Sequence, residues 1–332
     1  MGICISSASS GIHQAEDGFE NVAYLQETIA YNGVQKIGSL YSKVGSKGLN
    51  QDAASLYHDY GMEGGVFCGV FDGHGKNGHL VSKMVKDRLA SLLLRQRDAL
   101  AKTGVNISRE RADGDLHPSE TFDQWKRACI SAFKVMDKEI KLRESLDCSY
   151  SGTTAVVFIK QGEDMIIANL GDSRAVLGAI SDDRIIPVQL TTDLKPSLPS
   201  EADRIRKCKG RVLALQEQPH IQRVWLPNED SPGLAMSRAF GDFRLKDYGV
   251  IALPRISYHR LTSSDQFLVL ATDGVWDVLS NEQVVSIVWA AENKQEAAIA
   301  VVEAAVVAWR KKFPSSNVDD CTVVCLFLQN RE

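Results

Sequence analysis

Nowhere in the 332 residues does an uninterrupted apolar run approach the length of about 18 residues that marks a membrane-spanning helix. A basic excess is missing too. The formal net charge is -4, which excludes a general nucleic-acid binder, because phosphate backbones select positively charged surfaces. The seven cysteines form no CxxC pair and no regular framework. Several sit inside apolar runs, so they read as reduced core thiols in a reducing compartment. The first residues lack the charged-then-apolar layout of a secretory signal, no internal repeat is visible, and no lysine or arginine precedes Lys36. The Cys-x5-Arg spacing of Cys325 to Arg331 starts inside an apolar run and not in a loop, and no Gly-x-Ser-x-Gly elbow is present, so the sequence supplies no covalent nucleophile of either kind.

What is there has ordinary globular composition, 44% hydrophobic and 24% charged, enough for a sizeable core. Residues 1–36 are small, polar and weakly patterned, and read as a flexible arm. Residues 37–330 read as one domain. The apolar run Val66 to Phe71 ends in the turn Asp72-Gly73-His74-Gly75. Leu80, Val81, Met84, Val85, Leu89, Leu92 and Leu93 then recur at helical spacing. After a polar loop over 103–119, a second amphipathic helix carries Phe122, Trp125, Cys129, Phe133, Met136 and Ile140. Thr153 to Ile159, Met165 to Leu170 and Arg174 to Ile180 are short apolar runs between turns, as expected of strands buried between two layers. Residues 213–233 show no clean period, contain three prolines, and predict an irregular flap. Phe267 to Ala271 is another buried strand. Ser280 and Gln283 predict a capping box, an Ala/Val-rich helix follows over 294–311, and Cys321 to Leu328 forms a last strand. Strand clusters with helices grouped in pairs predict an α+β fold, a layered α-β-β-α sandwich of two antiparallel sheets.

Four aspartates lie where buried strands end: Asp52, Asp72, Asp273 and Asp319. Carboxylates converging there repel one another unless cations neutralise them. An oxygen-only donor set selects hard ions such as Mg²⁺ or Mn²⁺. A following glycine lets the backbone approach closely enough for its carbonyl to join in. Taken singly, each Asp-Gly is equally a hairpin turn, and His74 equally a turn histidine.

The ordered series is more specific. Asp72-Gly73-His74-Gly75, Ser151-Gly152-Thr153-Thr154-Ala155, Asn169-Leu170-Gly171-Asp172-Ser173-Arg174 and Leu190-Thr191-Thr192-Asp193-Leu194-Lys195-Pro196 follow one another. Then come Ala235-Met236-Ser237-Arg238-Ala239-Phe240-Gly241-Asp242, Ala271-Thr272-Asp273-Gly274-Val275-Trp276-Asp277 and Asp319-Asp320-Cys321-Thr322-Val323. Over roughly residues 36–328 this series resembles the type 2C, metal-dependent protein serine/threonine phosphatases. The resemblance implies that Asp72 bridges two Mg²⁺ or Mn²⁺ ions, that Gly73 ligates one through its carbonyl, and that Asp273 and Asp319 ligate the other. It implies that Asp52 hydrogen-bonds metal-bound waters and that His74 protonates the departing serine or threonine oxygen. Asp172 and Asp277 match positions associated with a third, weaker ion. Two cations about 3.5–4 Å apart can activate a bridging water and clamp the attacking and leaving oxygens.

Two positions depart from the family pattern. Gln51 stands where many members have Glu, and Lys47 where many have an Arg that grips phosphate. Lys keeps a point charge but loses the bidentate fork. These departures keep open a catalytically weak relative that binds phosphoproteins as a regulatory scaffold. The bare aspartate cluster would also suit another metal-dependent hydrolase, such as a phosphodiesterase. The start, Met1-Gly2-Ile3-Cys4-Ile5-Ser6, fits a myristoylation pattern at Gly2, with Cys4 placed for palmitoylation. One myristoyl chain binds membranes only marginally, and no polybasic patch accompanies it. This start resembles the lipid-anchored plant branch of the family, as do Lys47-Gly48-Leu49-Asn50-Gln51-Asp52 and Val224-Trp225-Leu226-Pro227-Asn228. The expectation is a monomer acting on phosphoprotein substrates, at the cytoplasmic face of the plasma membrane if lipidated and otherwise in the cytosol.

Overall fold

The computed structural model describes residues 20–25, 38–104, 118–230, 233–314 and 317–329. Gly2 and Cys4 lie outside the described residues, as does 105–117 of the expected loop. The chain begins with β1 (Glu20–Leu25), β2 (Gly38–Lys43), β3 (Ala53–His58), β4 (Val66–Phe71) and a two-residue β5 (Gly73–His74). Helices α1 (Gly78–Gly104) and α2 (Pro118–Lys141) follow. Next come β6 (Gly152–Thr153), β7 (Ala155–Gln161), β8 (Asp164–Leu170), β9 (Arg174–Ser181) and β10 (Arg184–Gln189). Helix α3 (Pro199–Lys207) leads to β11 (Arg211–Leu215), β12 (Gln218–Trp225), β13 (Phe240–Gly241) and α4 (Phe243–Lys246). The chain continues through β14 (Arg255–Arg260), β15 (Asp265–Ala271), α5 (Asp273–Trp276), α6 (Asn281–Ala290), α7 (Ala297–Lys312) and β16 (Cys321–Phe327).

Two antiparallel sheets make the centre, one in the order β1-β2-β16-β15-β9-β10 and the other β14-β8-β7-β4-β3. Strand alternation explains why their sequences read as continuous apolar runs. Val66, Cys68 and Val70 of β4 meet Leu268, Leu270, Val324 and Leu326 between the sheets. The alternate residues, Phe67 and Phe71, turn outward to pack on Val85, Leu89, Trp125 and Phe133 of α1 and α2. On the other side, Val269, Val323 and Cys325 pack on Val284, Val288, Val301 and Ala305 of α6 and α7. The result is the expected α-β-β-α sandwich. The capping box at Ser280 and Gln283 is formed in both directions.

Three expectations need correction. Leu80 is 45% exposed; it sits one residue, about 100° of helix, off the buried stripe through Val81, Val85 and Leu89. The stretch 213–233 is no irregular flap at its start, since β11 and β12 form a hairpin. Its period is hidden because the register shifts between Ala214 and Leu215, a bulge that breaks alternation. Residues 20–25, within the expected arm, pair as β1 with β2.

The hairpin and α3 share a small core of Ala202, Ile205, Val212, Val224 and Met236. Glu201 of α3, 3% exposed, ties that unit to the segment leading to Asp242. It accepts from Ser237 Oγ at 2.7 Å and from Arg238 Nη2 at 2.6 Å, and pairs with Arg204 at 2.7 Å. Burial would push its pKa up, but the bonds from Arg238, Arg204 and Ser237 outweigh that and hold it at about 2. A carboxylate whose folded pKa is depressed stabilises fully above its unfolded value and loses that contribution as pH falls toward the folded one. Glu201→Gln should therefore cost about 3 kcal/mol at neutral pH by leaving two guanidinium groups without a counter-charge. Thermal unfolding should also show a smaller loss of stability in the variant than in the wild type between about pH 4.5 and pH 2. Parallel pH profiles for the two proteins would refute this account.

Candidate active site

All the candidate carboxylates fall at one end of both sheets because antiparallel neighbours alternately finish and start there. Asp72 follows the last residue of β4, and Asp172 lies two residues beyond β8. Asp52 immediately precedes β3. In the opposite sheet, Asp273 opens α5 two residues after β15, while Asp319 and Asp320 lead into β16. Interior apolar packing thus carries six acidic side chains from distant parts of the sequence to one place.

Their electrostatics shows how close they stand. Burial pushes the Asp72 carboxyl well above the usual range, and the charges of Asp273, Asp52, Asp319 and Asp172 push it further. Asp273 is also well above its usual range, first from burial and then from Asp172, Asp277 and Asp319; it shares a hydrogen bond with Asp72. Burial and Asp320 lift Asp52 to about 7 against the bonds from Thr322 and Thr272. Burial lifts Asp172 to about 6, with Lys195 opposing. Nearby cations favour the ionised form of carboxylates crowded in this way.

The donors are of the right chemistry for a hard divalent ion: carboxylate and carbonyl oxygens, with one carboxylate atom, Asp172 Oδ1, buried and without a hydrogen-bond partner. Among the described residues no three His, Cys, Asp or Glu side chains already stand in a geometry that would hold an ion by themselves. Carbonyl and water oxygens are the usual complement for Mg²⁺ and Mn²⁺. Glycine is needed where backbone segments of the site come closest. A Cβ on Gly73 would stand 2.5 Å from the carbonyl oxygens of Gln51 and Gly78, and one on Gly274 would strike the carbonyl of Asp320. Lys195 reaches between Asp277 Oδ1 at 3.5 Å and Asp172 Oδ2 at 3.8 Å. Lys47 lies 2.5 Å from Asp319 Oδ2. Asp52 accepts from Thr272 Oγ1 at 2.8 Å, a bond between the two sheets.

His74 sits beside this cluster on β5. Its Nε2 is 2.7 Å from Asp242 Oδ2, and its Nδ1 is buried with no partner. Burial disfavours charge on the ring, but the Asp242 carboxylate outweighs it and raises the pKa above the ordinary value. Asp242 is buried and adopts φ +50°, a left-handed conformation that Asp tolerates better than most residues. Behind the pair, Lys246 bonds the Ala239 carbonyl at 2.6 Å and Asp137 Oδ1 at 3.2 Å. Asp137 in turn accepts from the Gly241 amide.

The structure therefore gathers Asp52, Asp72, Gly73, His74, Asp172, Asp273, Asp277, Asp319 and Lys47. Sequence reasoning assigned no role to Asp242, Lys195 or Asp320, whose carboxylate accepts from the amides of Gly45 and Gln51 at 2.8 Å each. All three lie inside the quoted motifs. Nothing local reveals their partners, since His74 and Asp242 are 168 positions apart.

The profile of the protein phosphatase 2C family matches residues 54–311. The chain is 54% identical to "Probable protein phosphatase 2C 72" of Arabidopsis thaliana over 100% of its own length and 99% of that protein's. It is 49% identical to "Probable protein phosphatase 2C 12" of Oryza sativa subsp. japonica, covering 99% and 92% of the two chains. A serine-threonine phosphatase 2C from Toxoplasma gondii superposes with a TM-score of 0.79 at 26% identity, over 93% of this chain and 99% of that one. A C. elegans sex determining protein shares the fold, with a TM-score of 0.68 at 23% identity over 91% of this chain and 66% of that one. A profile spanning most of the chain, and relatives half identical along nearly all of it, lead to one conclusion: the chain belongs to the protein phosphatase 2C family and is a phosphatase.

Proposed function

We propose that the enzyme hydrolyses phosphoserine and phosphothreonine in proteins at a centre of two Mg²⁺ or Mn²⁺ ions, the metals on which the family in general depends. The observation that carries this reading is the meeting of Asp72, Asp273, Asp319 and Asp172 at one end of both sheets, with the half-buried Asp72 and Asp273 carboxyls well above their usual pKa. Asp72 and the Gly73 carbonyl, with Asp273 and Asp319, would hold the two ions, and Asp172 with Asp277 a third. Bound there, the ions supply Lewis acidity and an activated water. Asp52 would orient the site's waters. His74, its Nε2 held by Asp242, would supply a proton to the leaving seryl or threonyl oxygen. Lys47, whose side chain is about half exposed, would leave Asp319 to meet the substrate phosphate.

One observation favours the weaker, phosphoprotein-binding alternative: the Lys47 ammonium is already engaged by Asp319. Hydrolysis of a phosphoserine peptide with added Mn²⁺, set against a phosphodiester, distinguishes the readings. Asp72→Asn and Asp273→Asn should each lower turnover by orders of magnitude and weaken Mn²⁺ binding. Near-normal rates at saturating Mn²⁺ would remove the metal assignment. His74→Gln should slow phosphoserine hydrolysis roughly 100-fold or more, within the range for a lost general acid. It should slow p-nitrophenyl phosphate much less, because that leaving group needs little protonation. Equal losses on the two substrates would make His74 structural.

The same enzyme is proposed to sit on the cytoplasmic face of the plasma membrane through lipids at Gly2 and Cys4, supported by the sequence pattern and the lack of basic residues before Lys36. Gly2→Ala should release it fully to the soluble fraction. Cys4→Ser should leave a weak, reversible association, since one chain gives a binding constant of only about 10⁴ M⁻¹. Wild-type protein found wholly soluble on fractionation would contradict the anchor.

A further inference from the structure

Gln51 bonds to three separate segments of the site. Its carbonyl accepts from the Gly73 amide at 3.2 Å and from Ser82 Oγ of α1 at 2.6 Å. Its amide N–H donates to Asp320 Oδ2 at 2.8 Å, in the loop before β16. Its side-chain Nε2 donates to the Gly75 carbonyl at 2.7 Å. The turn Asp72-Gly73-His74-Gly75 is thus gripped at two points by one residue. Glycines make the grip possible. A Cβ on Gly73 would press on the Gln51 carbonyl, one on Gly78 would come within 3.2 Å of Gln51 Nε2, and Gly75 adopts φ +78°.

The residue type matters because the bond to Gly75 requires a donor. An ionised glutamate offers only acceptors and would face the Gly75 carbonyl with like polarity. We propose that Gln51 is a positioning residue: it holds the turn that carries Asp72, Gly73 and His74 in ligand-holding shape before an ion binds. The chain forgoes one negative charge near the ions and gains a turn already ordered, so less conformational freedom is lost on binding. This rests on the reading of Asp72 and Gly73 as ligands.

The test uses the purified full chain, with hydrogen exchange of residues 73–77 measured in chelator and Mn²⁺ affinity measured by calorimetry. Without metal, Gln51→Leu and Gln51→Glu should both speed exchange in that turn, by about 2- to 10-fold, the range for one lost hydrogen bond. Their Mn²⁺ affinities should move in opposite directions. Gln51→Leu should bind more weakly by a similar factor. Gln51→Glu should bind more tightly, because a unit charge facing divalent ions outweighs a single hydrogen bond. Should Gln51→Leu fail to fold, Ser82→Ala removes the hydroxyl that steadies the Gln51 carbonyl at 2.6 Å, together with its longer contact of 3.3 Å to the His79 carbonyl within α1, and should speed exchange in the same turn. Unchanged exchange in Gln51→Leu, or in Ser82→Ala where that variant stands in, would overturn the proposal. Asp72→Asn separates the two readings: normal Mn²⁺ binding there removes the ligand assignment, while metal-free exchange still judges the role of Gln51.

Discussion

Like-charged carboxylates crowd one end of the two sheets, most of them half-buried, and their mutual repulsion is the force that the neighbouring features oppose. Asp72 and Asp273 lie deep enough for burial itself to be the largest influence on them. Left exposed, the same residues would keep ordinary acidities and attract cations only weakly. The sandwich keeps them in place because the apolar packing on both faces of each sheet is continuous right up to the strand ends, at Phe71, Leu170 and Ala271.

Several groups of the chain share in restraining that charge. Lys195 stands between Asp172 and Asp277, and Lys47 stands against Asp319. Thr272 donates to Asp52, and two backbone amides donate to Asp320. Farther out, Trp309 Nε1 donates to the Gly274 carbonyl at 2.6 Å, and Lys312 to that of Asp277 at 2.7 Å. The last turn of α7 is therefore fastened to the short helix that carries Asp273. His74 faces the opposite requirement: a buried ring has to be able to carry a proton, and Asp242 makes this favourable. Lys246 and Asp137 continue the alternation of charge into α2.

How much of this was legible from the chain depends on how local each signal is. The strand runs Val66 to Phe71 and Phe267 to Ala271, the α2 stripe and the Ser280 capping box were readable because each is set by neighbours within a few residues. The layered arrangement followed from the grouping of strands and helices. The β11–β12 hairpin was hidden by a bulge, and β1 by its place in a weakly patterned stretch, its partner strand β2 lying farther along the chain. The acidic centre was legible as a list of residues but not as a geometry.

The sequence by itself determined the buried strands, the paired helices and the kinds of atom available for chemistry: oxygen donors beside glycine, and a histidine two residues from an aspartate. Only the tertiary structure decided that Asp242 supports His74, that Lys195 lies between Asp172 and Asp277, and that Gln51 binds the turn after β4. The physical reason is that periodicity records which side of an element is buried. A hydrogen bond between residues 74 and 242 leaves no trace in either segment until the sheets bring their ends together.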